Sequence, residues 1–330
     1  MKKAASTGLA CLFLLAVSTP GAVADPERWK HEWPTTDFTR HSVALGEILS
    51  GGPPKDGIPA IDDPTFVSLA EADHVADTEP VIGLGLNGDM RAYPLHILMW
   101  HEIVNDVVGG IPVTVTFCPL CNTAVVFDRR VGGRVLDFGT TGKLRNSDLV
   151  MYDRQTESWW QQFLGEAIVG QLTGTLLEVI PARLESFAKF RQRAGASARV
   201  LVPGSRFRRA YGANPYVGYD SRSRPYPFFT GEMPSEVAPL ARVINIGGRA
   251  WALSLLREKR RLELDDGTVI TWEPGQNSAL DAGRISLGVD VGNVVVQKPN
   301  AGGVLEDIPY QVDFAFAFRA FYPDAPIRVE

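Results

Sequence analysis

The sequence predicts an α+β fold that is mainly β, built from two duplicated small-sheet units with few short helices. Three observations support this prediction. The 32 Gly and 23 Pro residues favour many turns over long helices. Most apolar runs are short and rich in β-branched residues, which is typical of strands. Two stretches of the chain also resemble each other in sequence, which indicates an internal repeat.

The composition is that of an ordinary globular protein. The 330 residues are 45% hydrophobic and 22% charged, which excludes a disordered chain, a collagen-like repeat and a coiled coil. The length suggests roughly two domains, at about 150 residues each. The net charge of -5 argues against nucleic acid as a partner.

Residues 1–24 are predicted to be a signal peptide. Lys2 and Lys3 precede an apolar run at residues 8–18 that is too short to span a bilayer, and small residues follow it. We expect cleavage after Ala24 and a periplasmic or secreted protein with no membrane span in the mature chain. An uncleaved anchor or a buried helix is the alternative, and a lipoprotein attached through Cys11 fits less well.

The elements of the first unit follow from local patterns. Residues 25–74 are rich in Pro, Gly and Asp and predict an irregular N-terminal arm. Residues 75–182 form the first repeat, in which residues 81–95 predict a strand hairpin and residues 94–107 a short helix. The β-branched segments at 112–117 and 123–129 predict two further strands.

The rest of the chain predicts a connection and a second unit. Residues 183–240 combine a basic helix with a linker rich in Pro and Tyr. Their arginines and lysines could bind an anionic ligand or simply face water. Residues 241–330 are expected to be a second, degenerate repeat.

The repeat is clearest around one turn. TFCPLCNTA at residues 116–124 matches TWEPGQNSA at residues 271–279, and residues 85–98 resemble residues 245–256 upstream. A chance match is the alternative. If the duplication is real, each turn should link two strands of its own sheet. The second copy lacks the cysteines, so the turn forms without sulfur.

Cys118 and Cys121 are the two cysteines of the mature chain, and four interpretations of the pair remain open. They could form a structural disulfide, although closing so short a loop stabilises by only about 2 kcal/mol. They could be a redox dithiol, although strand-like residues follow them where thioredoxin-like sites have a helix. They could bind a metal through two thiolates, or one could be a nucleophile with a histidine base.

His101 is the expected nitrogen ligand if the pair binds a metal. It lies on the predicted helix that precedes the strand leading to Cys118. Soft thiolates would select copper or zinc. We expect Glu102, Asn105 and Asp106, which share this segment, to surround the ligands. An isolated histidine can equally be a core residue that hydrogen-bonds a neighbour.

A second polar cluster follows in the first unit and could position a small polar ligand. Its tryptophans could equally be ordinary core, and its charged residues a hairpin ion pair. The spacing around Lys143 does not match a phosphate-binding loop, so no nucleotide cofactor is expected. The expected ligand-positioning residues are Asn146, Ser147, Asp148, Tyr152, Asp153, Arg154, Trp159 and Gln161.

Several segments together resemble the exported bacterial and archaeal family known as domain of unknown function 3179. The likeness runs from about residue 45 to 325 and implies a secreted or periplasmic protein of unassigned activity. The family's turn is expected to carry Gly or Ala where this chain has Asn122. The segments are RAYPLHILMWHEIVNDVVGG, TFCPLC, AVVFDR, FGTTGKLRNSDLVMYDRQTESWWQQ, GEAIVG and AFRAFYPD.

These observations predict an exported protein with a Cys-x-x-Cys/His site that binds copper or zinc or acts in redox chemistry. The alternative is a periplasmic ligand-binding or assembly module in which the two cysteines form a structural disulfide. The partner would be a metal or a small molecule, and whether the protein is an enzyme stays open.

Overall fold

The fold is described by a computed structural model that covers residues 26–204 and 207–330. The predicted signal peptide, residues 1–24, lies outside the described residues. The described chain is mainly β, with short helices between strands. None of these helices is long and apolar enough to cross a membrane.

The first half of the chain contributes two helices and thirteen strands in the described residues. The helices are α1 (Pro26–Glu32) and α2 (Leu95–His101). The strands are β1 (Ile48–Ser50), β2 (Thr65–Ser68), β3 (Pro80–Leu86), β4 (Asp89–Pro94), β5 (Ile103–Val108), β6 (Ile111–Cys118), β7 (Thr123–Asp128), β8 (Arg130–Val131), β9 (Arg134–Val135), β10 (Phe138–Arg145), β11 (Asp148–Asp153), β12 (Trp159–Gln161) and β13 (Glu166–Val169).

The second half adds the remaining elements of the described chain. The helices are α3 (Phe187–Ala194), α4 (Leu253–Lys259) and α5 (Ala315–Phe321). The strands are β14 (Val179–Ile180), β15 (Arg183–Ser186), β16 (Arg199–Val202), β17 (Arg242–Ile246), β18 (Arg249–Ala252), β19 (Arg261–Glu263), β20 (Val269–Glu273), β21 (Asn293–Pro299), β22 (Leu305–Asp307), β23 (Gln311–Phe314) and β24 (Ile327–Arg328).

These strands form five small sheets arranged as the blades of a five-bladed β-propeller. Strands β8 and β9 form a separate two-stranded ribbon. The strand orders are β1-β10-β11-β12-β13 in blade 1, β14-β7-β6-β5 in blade 2, β15-β3-β4-β16-β2 in blade 3, β23-β17-β18-β24 in blade 4 and β19-β20-β21-β22 in blade 5.

The expectation of two duplicated small-sheet units is therefore wrong. The two similar stretches do share a local path, because each forms a hairpin, a short helix and then antiparallel strands. Each stretch, however, divides between two blades. The first places its hairpin in blade 3 and its later strands in blade 2, and the second uses blades 4 and 5. The sequence similarity marks a connection between blades, not a complete sheet.

The shared path is visible in the backbone where each helix ends. Glu102 and Arg260 follow α2 and α4 with φ of 58° and 65° and ψ of -31° and -33°, a backbone conformation that residues other than glycine rarely adopt. The carbonyl of Glu102 accepts from the Phe117 amide at 2.8 Å, and that of Arg260 accepts from the Trp272 amide at 2.9 Å. The positive φ of Glu102 thus belongs to the path that the two segments share.

Each matched segment links two paired strands of one sheet, but only the first is a tight turn. Residues 119–122 link β6 and β7, which pair in one sheet from Phe117 opposite Ala124 to Cys118 opposite Thr123. After β20 ends at Glu273, the next strand, β21, begins only at Asn293. The second segment is therefore the start of a long connection and not a tight turn.

The predicted helix at 94–107 is shorter than expected. It ends at His101, and residues 103–108 form β5 instead. The segment after His101 contains four β-branched residues in six, which favour a strand once the helix is closed by Glu102. The segment 25–74 contributes α1, β1 and β2, and the segment 183–240 contributes β15, α3 and β16.

Candidate metal centre

Two free cysteines lie at the end of β6 and in the turn that follows it. Cys118 is the last residue of the strand, and Cys121 lies just before β7. Both are buried, with 1% and 0% of their surface exposed, and both are free thiols. The turn closes at Asn122, whose φ of 55° suits asparagine almost as well as glycine. Asn122 is therefore compatible with the turn.

Asp148 reaches the same place from another blade. It begins β11 after the two-residue turn Asn146–Ser147, whose φ values of 54° and 63° are those of a tight hairpin. Its Oδ2 accepts from the Gln161 side-chain amide at 2.6 Å and from the Phe163 backbone amide at 2.9 Å. Its Oδ1 is buried and has no hydrogen-bond partner. One carboxylate oxygen is thus fixed and the other is left unsatisfied.

The two sulfurs and a carboxylate oxygen of Asp148 form one group. Within the described residues, these three possible ligand atoms all lie within 4.8 Å of one another. The Cys118 thiol also donates to the Ser147 carbonyl at 3.7 Å. Blade 2 supplies the sulfurs and blade 1 the oxygen, so the group sits where the two blades meet.

Burial dominates the electrostatics of this group. It raises the pKa of both thiols, and it raises the pKa of Asp148 to about 7 even though hydrogen bonds from Gln161 and Phe163 act in the opposite direction. Without a metal, the thiols are therefore protonated at neutral pH. Such thiols are poor nucleophiles, because the thiolate is the reactive form.

Two further buried carboxyl groups lie near the group. Burial raises the pKa of Glu102 and of Asp313 to about 8 each, and the charge of Asp148 adds to both shifts. Asp313 accepts from the Thr123 hydroxyl at 2.8 Å and from the Asn245 amide at 3.1 Å. These three carboxyl groups and the two thiols are all acidic, and burial raises the pKa of each. The region therefore has an excess of acidic groups.

His101 does not belong to the group of three ligand atoms. It is fully buried, its Nδ1 lies 2.7 Å from the Pro59 carbonyl oxygen, and its Nε2 lies 2.8 Å from the Tyr211 hydroxyl. Its ring also packs on Phe207, with 4.7 Å between the ring centroids. Both ring nitrogens are therefore engaged with other residues.

Of the residues expected to surround the ligands, Glu102 lies near the group and the other two contact other residues. The Asn105 amide donates to Asp62 at 2.9 Å and to the Phe138 carbonyl at 2.8 Å. Asp106 accepts from Arg91 and from the Tyr93 hydroxyl, each at 2.6 Å. Both side chains are held in structural networks within the first half of the chain.

The second polar cluster is divided in the same way. Ser147, Asp148 and Gln161 belong to the surroundings of the cysteines, and Asn146 forms the turn that places them. The remaining members contact other parts of the chain. Tyr152 donates to Asp56, Asp153 accepts from Thr156 and Trp160, Arg154 pairs with Asp62, and Trp159 packs among Trp29, Trp33 and Phe38.

Sequence reasoning missed Asp313 and Tyr216. Asp313 lies in the short strand β23 beside the turn, where the Phe314 amide donates to the Cys121 carbonyl at 2.9 Å. A lone acid inside the apolar stretch QVDFAFAF was the available signal. Tyr216 lies in the segment that sequence analysis treats as a linker, and no local pattern distinguishes it from its neighbours.

A cavity of about 280 Å³ adjoins the group. Leu120, between the two cysteines, and Leu149, next to Asp148, line it together with Glu102. Tyr216, Tyr226 and Phe228 supply aromatic walls. A site with a cavity, buried acids and two thiols in one place has the features of a binding or catalytic site.

Comparison with known proteins gives one match. Residues 55–325 match the family described as protein of unknown function DUF3179. No curated protein and no solved structure matches the chain.

Proposed function

Because the chain belongs to the DUF3179 family, whose description names no activity, we propose a function from the site itself: an exported protein that binds one zinc ion through Cys118, Cys121 and Asp148. The observation that carries the proposal is the approach of two sulfurs and a carboxylate oxygen to within 4.8 Å of one another. The charged N-terminal start and apolar run support export.

The donor set favours zinc over copper. Zinc accepts thiolate and carboxylate ligands together, at about 2.3 Å and about 2.1 Å. Copper(I) prefers soft sulfur alone, so it would leave the Asp148 carboxylate without a role. Three protein ligands with a fourth position open to solvent or substrate is the pattern of catalytic zinc sites, whereas structural sites use four.

Charge balance also supports a cation here. Two thiols and three buried carboxyl groups share this region, and burial raises the pKa of each of them. A divalent ion would stabilise the two thiolates and the Asp148 carboxylate together, since opposite charge favours the ionised form. It would also give the unsatisfied Oδ1 of Asp148 a partner.

His101 is kept as an alternative ligand in the test. Binding through His101 would require its ring to leave the Pro59 carbonyl or the Tyr211 hydroxyl. The proposal therefore assigns the third ligand to Asp148 and expects His101→Ala to retain the metal.

The test is elemental analysis of the protein purified from its own periplasm without chelators. We expect about one zinc per chain, with loss of zinc in Cys118→Ser and Asp148→Asn. The matched control is Asp313→Asn, which removes a nearby buried acid outside the group and should keep the metal. Thiol titration on the same sample reports the oxidation state of the cysteines.

Two outcomes would contradict the proposal. A folded protein with two free thiols and no metal, which also fails to take up added zinc, would refute zinc binding. A protein whose two thiols are absent from the titration but return after reduction would instead support the alternative, a binding or assembly module with a Cys118–Cys121 disulfide.

A further inference from the structure

The cavity next to the cysteines has two polar groups that lack partners. Within residues 26–204 and 207–330, the Glu102 carboxyl makes no hydrogen bond or ion pair, although the residue is only 8% exposed. The Tyr216 hydroxyl likewise makes no hydrogen bond in the described chain. Both residues line the cavity. A polar group that lines a cavity and has no protein partner can hydrogen-bond a ligand placed there.

The other walls of the cavity are apolar or aromatic near these groups. Tyr226 and Phe228 face the same space as Leu120. Aromatic rings attract cations through their negative faces, and they also contact apolar ligand bodies. A flat or aliphatic body of small size would therefore fit beside the two polar groups.

The charges around the cavity favour a positively charged ligand. Lys143 lines the cavity, but its ammonium donates to Glu32 at 2.9 Å and to the Thr141 carbonyl at 3.4 Å. Its charge is thus already balanced by Glu32. The negative charge of Asp148, a second acid near the cavity, raises the pKa of Glu102. Even with zinc bound to two thiolates and one carboxylate, the adjoining group would keep a net charge of about -1.

We propose that this cavity binds a small organic ammonium ion, with the apolar body against Tyr226 and Phe228. The ammonium lies against the Tyr216 hydroxyl and against Glu102, which gives its proton to the solvent and becomes a carboxylate when the ion binds. This goes beyond zinc binding and does not require the metal, because none of these four residues belongs to the group of ligand atoms.

The test compares two probes of matched shape, 2-phenylethylammonium and the neutral 2-phenylethanol, by isothermal titration of the purified zinc-loaded protein. We expect the ammonium to bind at least about tenfold more tightly than the alcohol, because a hydrogen-bonded ion pair shielded from water adds that much affinity. In Glu102→Gln, which keeps the shape and removes the charge, this preference should disappear.

Three controls separate the charge from shape, folding and metal. Phe228→Ala should weaken both probes and keep the preference for the ammonium, since it alters only the wall. Asp313→Asn removes a buried acid outside the cavity lining and should leave both affinities unchanged. Cys118→Ser should keep the preference, so a failure of zinc binding and a failure of this proposal are distinguishable.

The proposal is overturned if the wild-type protein binds the alcohol as tightly as the ammonium, or binds neither probe. It is also overturned if folded Glu102→Gln keeps the preference. Tighter binding of the ketone phenylacetone than of the ammonium would instead identify a carbonyl site, in which a neutral Glu102 donates the hydrogen bond. If Glu102→Gln does not fold, the wild-type comparison decides alone.

Discussion

Zinc binding should release protons from its three ligands. The number released should depend on pH, because it is set by the pKa values of Cys118, Cys121 and Asp148. In the metal-free, reduced protein, burial raises the pKa of the thiols of Cys118 and Cys121, so both carry protons at neutral pH. Burial raises the pKa of Asp148 to about 7. Zinc binds the deprotonated form of each ligand, so every proton held before binding must leave.

The expected numbers follow from these pKa values. The thiols contribute about two protons throughout the neutral range, and Asp148 contributes about half a proton at pH 7. The total is about 2.5 protons per zinc at pH 7, about 2.9 at pH 6 and about 2.1 at pH 8. The loaded site has a net charge of about -1, so in the absence of an organic cation Glu102 keeps its proton and adds nothing to the count.

The measurement is isothermal titration of reduced, metal-free protein with zinc in two buffers of different ionisation enthalpy at each pH. The control is Asp148→Asn, which should release about two protons at every pH and bind zinc more than about tenfold more weakly, because one of three ligands is gone. A release of one proton or fewer, or a count in the wild-type protein that does not change with pH, would refute the reasoning.

Three further predictions concern export, pH dependence and the fold. N-terminal sequencing of protein from the periplasmic fraction should begin at Asp25, and a sequence beginning at Met1 would contradict export with cleavage. Burial raises the pKa of Asp313 from 3.8 to about 8, so the folded protein holds a proton that the unfolded chain releases. The free energy of unfolding should therefore fall as pH rises across that interval, and Asp313→Asn should reduce the slope by about 1.4 kcal/mol per pH unit in urea titrations. Gly142→Ala should destabilise by about 2 kcal/mol more than Gly132→Ala. Both glycines have positive φ, but only at Gly142 would a Cβ meet a backbone atom, the Pro53 carbonyl oxygen at 1.9 Å, and equal unfolding midpoints would contradict this account.

Local structure was largely predictable from the sequence. The hairpin of β3 and β4 and the tight turn between β6 and β7 follow from alternating apolar residues and turn residues, which act over a few positions. The length of α2 was not predictable in the same way. An apolar run that is buried on all sides lacks the alternation of apolar and polar residues that distinguishes a helix from a strand. The strand that follows His101 is equally apolar.

The assignment of strands to blades could not be obtained from local patterns. Blade 3 places β16 between β4 and β2, parallel to β4 and antiparallel to β2. These pairings join segments that are far apart in the chain, and the hydrophobic pattern of a strand does not specify its partner. The similarity between the two halves predicts two duplicated sheets. In the structure it belongs instead to the connection that leads from one blade to the next.

The candidate site was predicted in pieces. The cysteines were recognised from their spacing, and Asp148 was recognised as part of a polar cluster, but nothing in the sequence joined them. The expected partner was His101, because it precedes the same strand. Asp148 lies instead on a hairpin of blade 1, and only the packing of that hairpin against the turn of blade 2 brings its carboxylate to the sulfurs.

The unsatisfied oxygen of Asp148 separates the metal hypothesis from the disulfide hypothesis. A buried acceptor without a partner costs about 1–3 kcal/mol, and Oδ1 of Asp148 is such an acceptor. A disulfide between Cys118 and Cys121 would provide no donor for that oxygen. A zinc ion would bind the oxygen and both sulfurs at once, and the hydrogen bonds from Gln161 and Phe163 to Oδ2 already hold the carboxylate in place. The proposed zinc ion would therefore account for the orientation of the buried carboxylate toward the two thiols, which a disulfide would not.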